Sequence, residues 1–413
     1  MSAPTPDRAG EPVPRGSFAR YWTAATISSF GTAVTAVAMP VLVVQLLEAS
    51  ALEVGIVNAA QFLPYAVLGL IAGAYTDRWR RKPILVWASI GRAVSLGAVP
   101  VLWVTGALEV WMLVLLLLAF GAFSVFGFAA TQSFLPRLVP RSRLVVANAR
   151  LDQTDAAAQT LGPALGGGLV GLLGAPLALA VDAISYLVDA LLNASIRVTE
   201  PRITGRDRSL GAEIREGLRW AYRHRTLGPL ALSTHVWFVA NGVALTALSL
   251  LALRSLGLTA FSFGVLLAVS GTAGLVGTTF AARVSAWLGT GRAIVLARAT
   301  YPLAWLLIAA SAWSAAGPLL LYIGMAIHGL AGGVENANEM GYRQSVTPDG
   351  LLGRVNANIR SANRTGAALG ALLGGAAVGL IGDTPTLVGA VVLFAAAALI
   401  AGLSPLRRSE PSD

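Results

Sequence analysis

The sequence predicts an all-α membrane protein with twelve transmembrane helices, arranged as two pseudo-symmetric six-helix bundles. Three observations lead to this prediction. Of the 413 residues, 55% are hydrophobic and only 12% are charged, whereas an ordinary soluble domain carries about 25% charge. The apolar residues gather into about twelve runs of roughly 20 residues, which is the length of helix that crosses a bilayer. A glycine-rich segment in the first half of the chain also recurs in the second half.

The apolar runs set the expected membrane spans, and the basic residues set their direction. If the N-terminus lies inside, only Arg254 among the 30 lysines and arginines falls in an outer loop. This asymmetry predicts a multi-pass plasma (inner) membrane protein with both termini in the cytoplasm. The expected spans are residues 20–47, 54–75, 84–104, 110–130, 154–173, 176–196, 230–253, 263–284, 293–313, 319–337, 356–381 and 386–403.

A polar, basic segment divides the spans into two sets of six. Leu210, Ile214, Leu218 and Ala221 recur there at helical spacing, which predicts an amphipathic helix on the inner membrane surface. A basic nucleic-acid-binding helix is disfavoured, because the segment is short and close to the membrane. The expected organisation is a disordered cytoplasmic tail (1–17), a six-helix bundle (18–196), a cytoplasmic linker (197–228), a second six-helix bundle (229–405) and a cytoplasmic tail (406–413).

The internal repeat has an offset of 208 residues. Asn148 aligns with Asn356, Gly162 with Gly370, and the pair Gly166–Gly167 with the pair Gly374–Gly375. The match is in register with the helix count, so it predicts two parallel halves related by an axis along the membrane normal. The repeat is imperfect in its charges. The residues that differ most are Asp152, which aligns with Arg360, and Ala156, which aligns with Arg364.

A charged hairpin joins the second and third spans, in the stretch GAYTDRWRRKP at residues 73–83. Gly73 allows two helices to approach closely. Asp77 is a costly charge at a membrane boundary, so we expect it to have a partner. The cations Arg78, Arg81 and Lys82 favour a cytoplasmic position for the hairpin.

The fifth span contains the run LGPALGG at residues 161–167. Pro163 removes a backbone hydrogen-bond donor and can kink the helix. Gly162, Gly166 and Gly167 give a smooth face on which another helix can slide. The alternative is ordinary packing of small residues, which is common in membrane helices.

These two motifs resemble the major facilitator superfamily of secondary transporters, although Arg80 stands where that family often has glycine. Over residues 18–405 the chain is similar to the enterobactin-exporter and macrolide-efflux branch. The resemblance includes AAQFLP at 59–64, VDAISYL at 181–187 and TPDGLLGRVNA at 347–357. It implies the major facilitator fold, and export of amphipathic small molecules by proton antiport, as two halves rock about a central cavity.

Two aspartates in the sixth span are candidates for proton coupling. Asp182 and Asp189 share one helix face with Ser185. Charges in the membrane are costly and are functional candidates by default. Either carboxyl could take up and release a proton as its access to water alternates. The alternative is a structural carboxyl paired with Arg92 or Arg298.

A second set of charges is expected to form a cytoplasmic gate. In the family architecture the second span meets the eleventh, so Asp77 would face Arg360 and Arg364 at the start of that helix. The fifth span meets the eighth, where one of its aspartates could pair with Arg283. The predicted gate comprises Gly73, Asp77, Arg78, Arg81, Lys82, Asp152, Asp155, Arg283, Arg360 and Arg364.

The candidate substrate cavity combines aromatic residues with sparse polar groups, as suits an amphipathic ligand. The glutamates of the tenth span could attract cationic compounds, or could be solvated or paired with Arg343. Two lone histidines in the spans, His235 and His328, are expected to be packed and neutral rather than proton relays. The cavity candidates are Asn58, Gln61, Trp237, Phe238, Asn241, Glu335 and Glu339.

The sequence lacks the signals of other functional classes. It has no phosphate-binding loop, no metal-ligand cluster and no nucleophile elbow, and it contains no cysteine. We therefore expect no enzyme, cofactor or metal, and a monomer whose partners are a small-molecule substrate, protons and the lipid bilayer. Two alternatives stay open. One is a nutrient importer or facilitator of the same fold, and the other is a transport-inactive sensor or lipid-handling protein.

Overall fold

The computed structural model describes residues 16–409 except 199, 201–209 and 315, and the side chains of 73–78, 141 and 210 also lie outside the described part. The described chain is helical almost throughout. The helices are α1 (Ser17–Val41), α2 (Ala51–Ala60), α3 (Leu63–Arg78), α4 (Arg81–Val104), α5 (Val110–Leu138), α6 (Leu144–Leu173), α7 (Ala175–Ser195), α8 (Leu210–Arg223), α9 (Leu227–Leu250), α10 (Ala260–Leu288), α11 (Thr290–Ala310), α12 (Gly317–Val346), α13 (Asp349–Ile381) and α14 (Asp383–Leu403).

Twelve spans of the described residues are long and apolar enough to cross a membrane, which confirms the prediction. The second span differs from the expected single helix, since α2 and α3 are separated by a turn at Gln61 and Phe62. Pro64 lies in the first turn of α3, where a missing backbone donor is tolerated. We call the side at which α1 begins and α14 ends the termini side, and the opposite side the far side.

Several helices extend beyond the predicted spans on the termini side. The fifth span was expected at 154–173 but α6 covers Leu144–Leu173, and the eleventh was expected at 356–381 but α13 covers Asp349–Ile381. Hydropathy marks only the apolar part of a helix. The polar turns continue the same backbone hydrogen-bond ladder, because no breaker stops them.

The packing of the helices repeats between the two halves. In the first half α1 packs on α6 and α7, α4 packs on α5 and α7, and α3 packs on α5. In the second half α9 packs on α13 and α14, α11 packs on α12 and α14, and α10 packs on α12. Each contact in one half therefore has its counterpart in the other, as the sequence repeat predicts.

Local backbone features repeat as well. Both α1 and α9 end in a π-helical turn, at Leu42–Leu46 and Leu251–Ser255. Gly174 and Gly382 separate equivalent helix pairs, with φ angles of 80° and 86°. A left-handed backbone at these angles favours glycine, so the chain reverses direction at the same place in both halves.

The linker helix α8 is present and packs against the second half. Arg354 of α13 donates to Glu213 (3.0 Å) and Glu216 (2.7 Å) of α8. Asn358 Nδ2 donates to the Ile214 carbonyl at 3.2 Å. These polar contacts attach the linker to α13 on the termini side.

A glutamate outside the predicted site attaches the other end of the linker to the first half. Both carboxylate oxygens of Glu200 accept backbone N–H groups at the start of α4, from Arg81 (2.6 Å) and Lys82 (2.8 Å). A carboxylate in this position satisfies free helix donors and complements the helix dipole. The Lys82 Nζ atom donates to the Ile196 carbonyl at 2.8 Å.

Candidate functional site

Asp182 lies in a fully buried pocket between α7 and α1. Its Oδ2 accepts from Thr35 Oγ1 at 2.5 Å and its Oδ1 accepts from Ser185 Oγ at 2.9 Å. Gly31 of α1 faces the same carboxyl, because a Cβ at that position would meet Asp182 and Ser185. Among the described residues no ion pair involves Asp182, so hydroxyl groups alone bind it in this conformation.

Asp189 lies two turns toward the termini side and has a cation beside it. Arg92 Nη2 of α4 lies 3.8 Å from Asp189 Oδ2. Ser89 donates to the same carboxylate, and Asn193 Nδ2 donates to Oδ1 at 3.0 Å. The arginine also covers the ring of Tyr186, at 4.3 Å from the ring centre. The pair with Arg92 is one of the alternatives that the sequence left open.

The second half contains a larger buried charge cluster around Arg298 of α11. Arg298 Nη2 lies 2.6 Å from Glu335 Oε1 and 3.0 Å from Glu339 Oε2, both on α12. Glu339 Oε1 also accepts from Arg343 at 2.8 Å. Thr234 of α9 accepts from Arg298 at 2.8 Å. Two arginines and two glutamates are thus balanced in charge. The glutamates are buried and paired, so they do not present a free negative charge to a cationic ligand in this conformation.

The aromatic candidate Trp237 packs within the second half. Its ring contacts those of Phe238, Tyr301, His328 and Phe394, with ring centres 5.0–6.3 Å apart. The Trp237 Nε1 atom is buried and has no hydrogen-bond partner among the described residues. This donor would gain a partner if a polar group of a ligand reached it.

The two membrane histidines are both hydrogen-bonded. His328 Nδ1 accepts from Trp305 Nε1 at 3.1 Å, which requires that nitrogen to be unprotonated. His235 lies between Tyr222 (2.7 Å) and Asn363 (2.7 Å).

One of the polar cavity candidates contacts the opposite half. Asn58 Nδ2 donates across the interface to Thr246 Oγ1 at 3.2 Å. Gln61 lies in the turn between α2 and α3, where its carbonyl faces Gly121 of α5. Asn241 of α9 has a buried Oδ1 without a hydrogen-bond partner among the described residues. These groups are half-buried.

The LGPALGG motif has two faces. Gly162 and Gly166 lie against Ala33 and Val34 of α1, in their own half. Gly167 faces the backbone of α10 in the other half, where a Cβ would lie 2.6 Å from the Ala260 carbonyl oxygen. We call this close contact of α6 with α10 the first seam. Only part of the motif therefore meets the opposite half.

The repeat produces an equivalent contact between α13 and α2. Gly370 and Gly374 lie against α9, in their own half, and Gly375 faces Ala51 and Gly55 of α2. We call the contact of α13 with α2 and α3 the second seam. The equivalence follows residue by residue from the offset of 208.

Polar contacts join the halves on the far side. Gln45 Nε2 of the first half donates to the carbonyls of Leu253 (3.2 Å) and Leu258 (3.1 Å) in the second half. Arg254 donates in return to the Ala49 carbonyl. The π-helical ends of α1 and α9 thus meet and seal this side.

The predicted gate is only partly described, and one of its predicted pairs is absent. Asp155 accepts from Gln159 at 2.8 Å, whereas Arg283 lies over the ring of Phe280, 5.4 Å from its centre. Asp152, Asp155 and Arg283 are all exposed. Among the described residues, neither aspartate forms an ion pair with Arg283. The ion pair is expected only when the termini side is closed, so it stays a prediction. The halves are closed on the far side, so the termini-side ends of α6 and α10 are free.

The arginines of α13 contact aromatic rings of the first half. Arg360 lies over Phe128 of α5 at 3.8 Å from the ring centre, and Arg364 lies near Phe62 (5.3 Å) and Tyr65 (5.9 Å). These are cation–π contacts rather than described ion pairs. The expected partner Asp77, with Gly73 and Arg78, lies outside the described side chains. The backbone N–H groups of Arg81 and Lys82 donate to Glu200 of the linker, and Lys82 Nζ donates to the Ile196 carbonyl.

Comparison with known proteins identifies the family. Residues 9–413 match the family MFS_3, described as transmembrane secretion effector. The chain belongs to this family. The resemblance of its motifs to the major facilitator superfamily is thereby confirmed, and the chain is a multi-pass membrane protein of a transporter family.

The curated relatives of this MFS_3 protein are similar over part of their length. Multidrug efflux pump Tap of Mycobacterium tuberculosis is 30% identical over 222 residues, which cover 51% of this chain and 52% of that protein. Tap of Mycolicibacterium fortuitum is 32% identical over 237 residues, with coverages of 55% and 57%. The chain thus spans about half the length of these relatives.

Solved structures show the fold. The nucleoside transporter NupG matches with a TM-score of 0.74 at 12% identity, over 94% of this chain and 98% of its own. A bacterial homologue of the human lysosomal transporter Spinster, in an inward-facing conformation, matches with a TM-score of 0.71 at 16% identity, over 95% and 98%. The predicted fold class is confirmed, and no metal-binding group occurs among the described residues.

Proposed function

We propose that this MFS_3 protein exports amphipathic small molecules across the plasma membrane by alternating access, in exchange for protons. The observation that carries the proposal is the similarity to multidrug efflux pump Tap, in a chain whose halves meet at two glycine seams. The termini side is the cytoplasmic side in this proposal, because nearly all the arginines lie there.

Alternating access is supported by how the halves touch. Toward the far side the seams are built from glycines and backbone atoms, so the helices can tilt there without disengaging long side chains. The far side is sealed by hydrogen bonds from Gln45 and Arg254. The termini-side ends of α6 and α10 carry exposed Asp155 and Arg283, which would approach each other when the halves rock to open the far side.

The natural absence of cysteine makes this motion testable. Cysteines introduced at Gln45 and Leu258 would join the halves on the far side when a short bifunctional thiol reagent is added. Efflux should stop and return after a cleavable cross-link is reduced. A matched pair at Gln45 and Leu46, both in one half, should leave efflux unchanged. Undiminished efflux by the far-side cross-linked protein would contradict alternating access.

Proton exchange is assigned to the aspartates of α7. Asp182 has only hydroxyl partners, and Asp189 has a partly exposed arginine at 3.8 Å. Either side chain can be protonated or ionised, because its protonation would not break a close, fully buried ion pair. Glu335 and Glu339 lie closer to a buried arginine, which favours a structural role.

The test is transport in inverted membrane vesicles with a panel of amphipathic dyes and antibiotics. Uptake into the vesicles should require an imposed proton gradient and collapse when an ionophore dissipates it. Asp182→Asn or Asp189→Asn should lower gradient-driven uptake at least tenfold, while downhill exchange of substrate persists. The matched control is Asp349→Asn, an exposed aspartate at the start of α13.

Each alternative has its own outcome. A nutrient importer would accumulate its substrate in cells rather than in inverted vesicles, and a facilitator would only equilibrate its substrate, without need of a proton gradient. A transport-inactive sensor would show no gradient-dependent flux for any compound. If both aspartate variants keep coupled uptake, the assignment of the proton to α7 is wrong, although efflux itself would stand.

A further inference from the structure

A basic pocket lies on the termini side of the second half, where α9 begins and α14 ends. Its volume is about 420 Å³. It lies between the turn that follows α8 and a short 3₁₀ helix at Pro405–Arg408. The residues that give it its character are Arg225, Thr226, Ser404, Arg407, Arg408 and Ser409.

The pocket walls are held in place by buried contacts. Leu406, which lies between the end of α14 and Arg407 in the chain, is fully buried. The Ser404 hydroxyl accepts from Leu406 N at 3.2 Å, and Gly291 N donates to the Ser409 carbonyl at 3.2 Å. Thr226 Oγ1 accepts from Tyr342 at 2.6 Å. The backbone that carries the cations is therefore ordered.

The charge of the pocket is unbalanced. Three arginines line it, all of them exposed, and none of its described lining residues is acidic. In the described part of the chain, no ion pair involves Arg225, Arg407 or Arg408. Arginine binds phosphate oxygens through paired N–H groups, so the pocket is complementary to an anionic phosphate group.

An apolar groove of about 430 Å³ adjoins the pocket on the outer surface of α11 and α14. Val295, Pro302, Ala398 and Leu399 line it. Leu403 lines both the groove and the pocket, and its side chain is 81% exposed. A ligand that fills both sites must have a phosphate head and an apolar tail.

We propose that the pocket and the groove together form a binding site for one anionic phospholipid. The phosphodiester binds the three arginines, and an acyl chain lies along α11 and α14. Basic pockets at the membrane boundary bind acidic headgroups in this way. A zwitterionic lipid fits less well because its cationic group would enter a pocket that already carries three positive charges.

The site lies where binding would stabilise the junction of the linker with the second half. α9 begins at Thr226 and Leu227, directly after the linker helix α8. Leu406 packs in one buried cluster with Leu227 of α9 and Ala221 of α8. A lipid bound to Arg225 and Arg407 joins the start of α9 to the end of α14. Lipid binding should therefore raise the melting temperature of the purified protein.

The experiment measures lipid binding to the purified full chain by native mass spectrometry in detergent. Phosphatidylglycerol should bind at least tenfold more tightly than phosphatidylcholine with the same acyl chains. The triple variant R225Q/R407Q/R408Q should lose this preference. The control R137Q/R143Q/R219Q removes three exposed arginines from the same side, outside both sites, and should keep it.

Two further arms distinguish a lipid from a soluble anion. Ala398→Trp fills the groove and should weaken phosphatidylglycerol binding severalfold while leaving the arginines intact. Inorganic phosphate at the same concentration should not compete. Equal binding of the two lipids, equal loss in both triple variants, or full competition by inorganic phosphate would each overturn the proposal.

Discussion

The first seam, between α6 and α10, and the second seam, between α13 and helices α2 and α3, begin alike on the far side. A glycine meets backbone in each, with Gly167 against Ala260 and Gly375 against Ala51. One step further, the Pro163 carbonyl faces Gly264 and the Ala371 carbonyl faces Gly55. Duplication of one sequence pattern thus built both contacts between the halves.

The seams differ in how far they reach toward the termini side. Glycine contacts of the first seam extend from Gly167 to Gln159, about 12 Å along α6. Those of the second extend from Gly375 to Ser361, about 21 Å along α13. Ser361 Oγ also donates to the Tyr65 carbonyl at 2.7 Å. The second seam therefore reaches the level of Arg360, which the repeat aligns with Asp152 of the first half.

The termini-side part of α6 thus has no described glycine contact with α10, whereas α13 keeps such a contact with α3 as far as Ser361. We therefore expect α10 to separate from α6 more easily than α13 separates from α3 when the halves rock. The buried charge clusters of the two halves also differ. The cluster of Arg298 on α11 and α12 is more buried than the pair of Arg92 and Asp189 on α4 and α7.

The largest expected effect compares the two buried arginines. Arg298→Gln leaves Glu335 without its close cation and Glu339 with Arg343 alone, and breaking such a buried pair costs about 3–5 kcal/mol in the free energy of unfolding. Arg92→Gln should cost less, because Arg92 is partly exposed and lies 3.8 Å from Asp189. Thermal unfolding of both variants in the same detergent gives the comparison.

A compensating variant sharpens this test. R298M combined with E335Q removes one arginine and one glutamate together and leaves Glu339 paired with Arg343, so it should recover much of the stability lost in R298Q. If R298Q is no less stable than R92Q, the second cluster does not stabilise the half as its geometry implies.

The next effect tests the equivalence of the seams. Gly167→Leu and Gly375→Leu both place a side chain against backbone, where a Cβ meets carbonyl oxygens at 2.6 Å and 2.5 Å. Overpacking of this kind costs about 1–3 kcal/mol, and efflux should fall in both variants. Gly168→Leu is the matched control, since no atom lies within 4 Å of its Cβ position. If Gly375→Leu left efflux unchanged, the second seam would not be in close contact in the membrane.

Much of this architecture could be predicted from the sequence because it depends on composition and spacing. Hydropathy gave the spans, and the offset of 208 placed Gly167 and Gly375 in equivalent positions. The linker helix followed from the spacing of its apolar residues. All these features are local or periodic, so one chain read alone contains them.

The site could be predicted less completely because its contacts depend on conformation and on distant partners. The pairing of an α6 aspartate with Arg283 was inferred from helix adjacency, which does not say which side of the bundle is closed. The sequence offered Arg298 as a partner of the α7 aspartates, whereas the packing of α11 on α12 places it beside Glu335 and Glu339. Glu200 has no local pattern that marks it as the cap of α4.

The smallest expected effect concerns how the two halves begin. The start of α1 has no side-chain cap, whereas His224 Nδ1 accepts from Leu227 N at 3.2 Å at the start of α9.

Burial lowers the pKa of His224, because the neutral ring is favoured there. The stabilisation is present above the unfolded-state pKa of about 6.5 and is lost as the pH falls below it, when the protonated nitrogen can no longer accept. Because the ring is only half-buried and one capping hydrogen bond is involved, the cap contributes about 1 kcal/mol or less. The melting temperature of His224→Ala should therefore lie a little under that of the natural protein at pH 8, and the difference should be smaller at pH 5. His224→Asn keeps an acceptor that does not titrate, so its difference from His224→Ala should not change with pH. A gap between the natural protein and His224→Ala that is equal at both pH values would show that the imidazole does not cap α9.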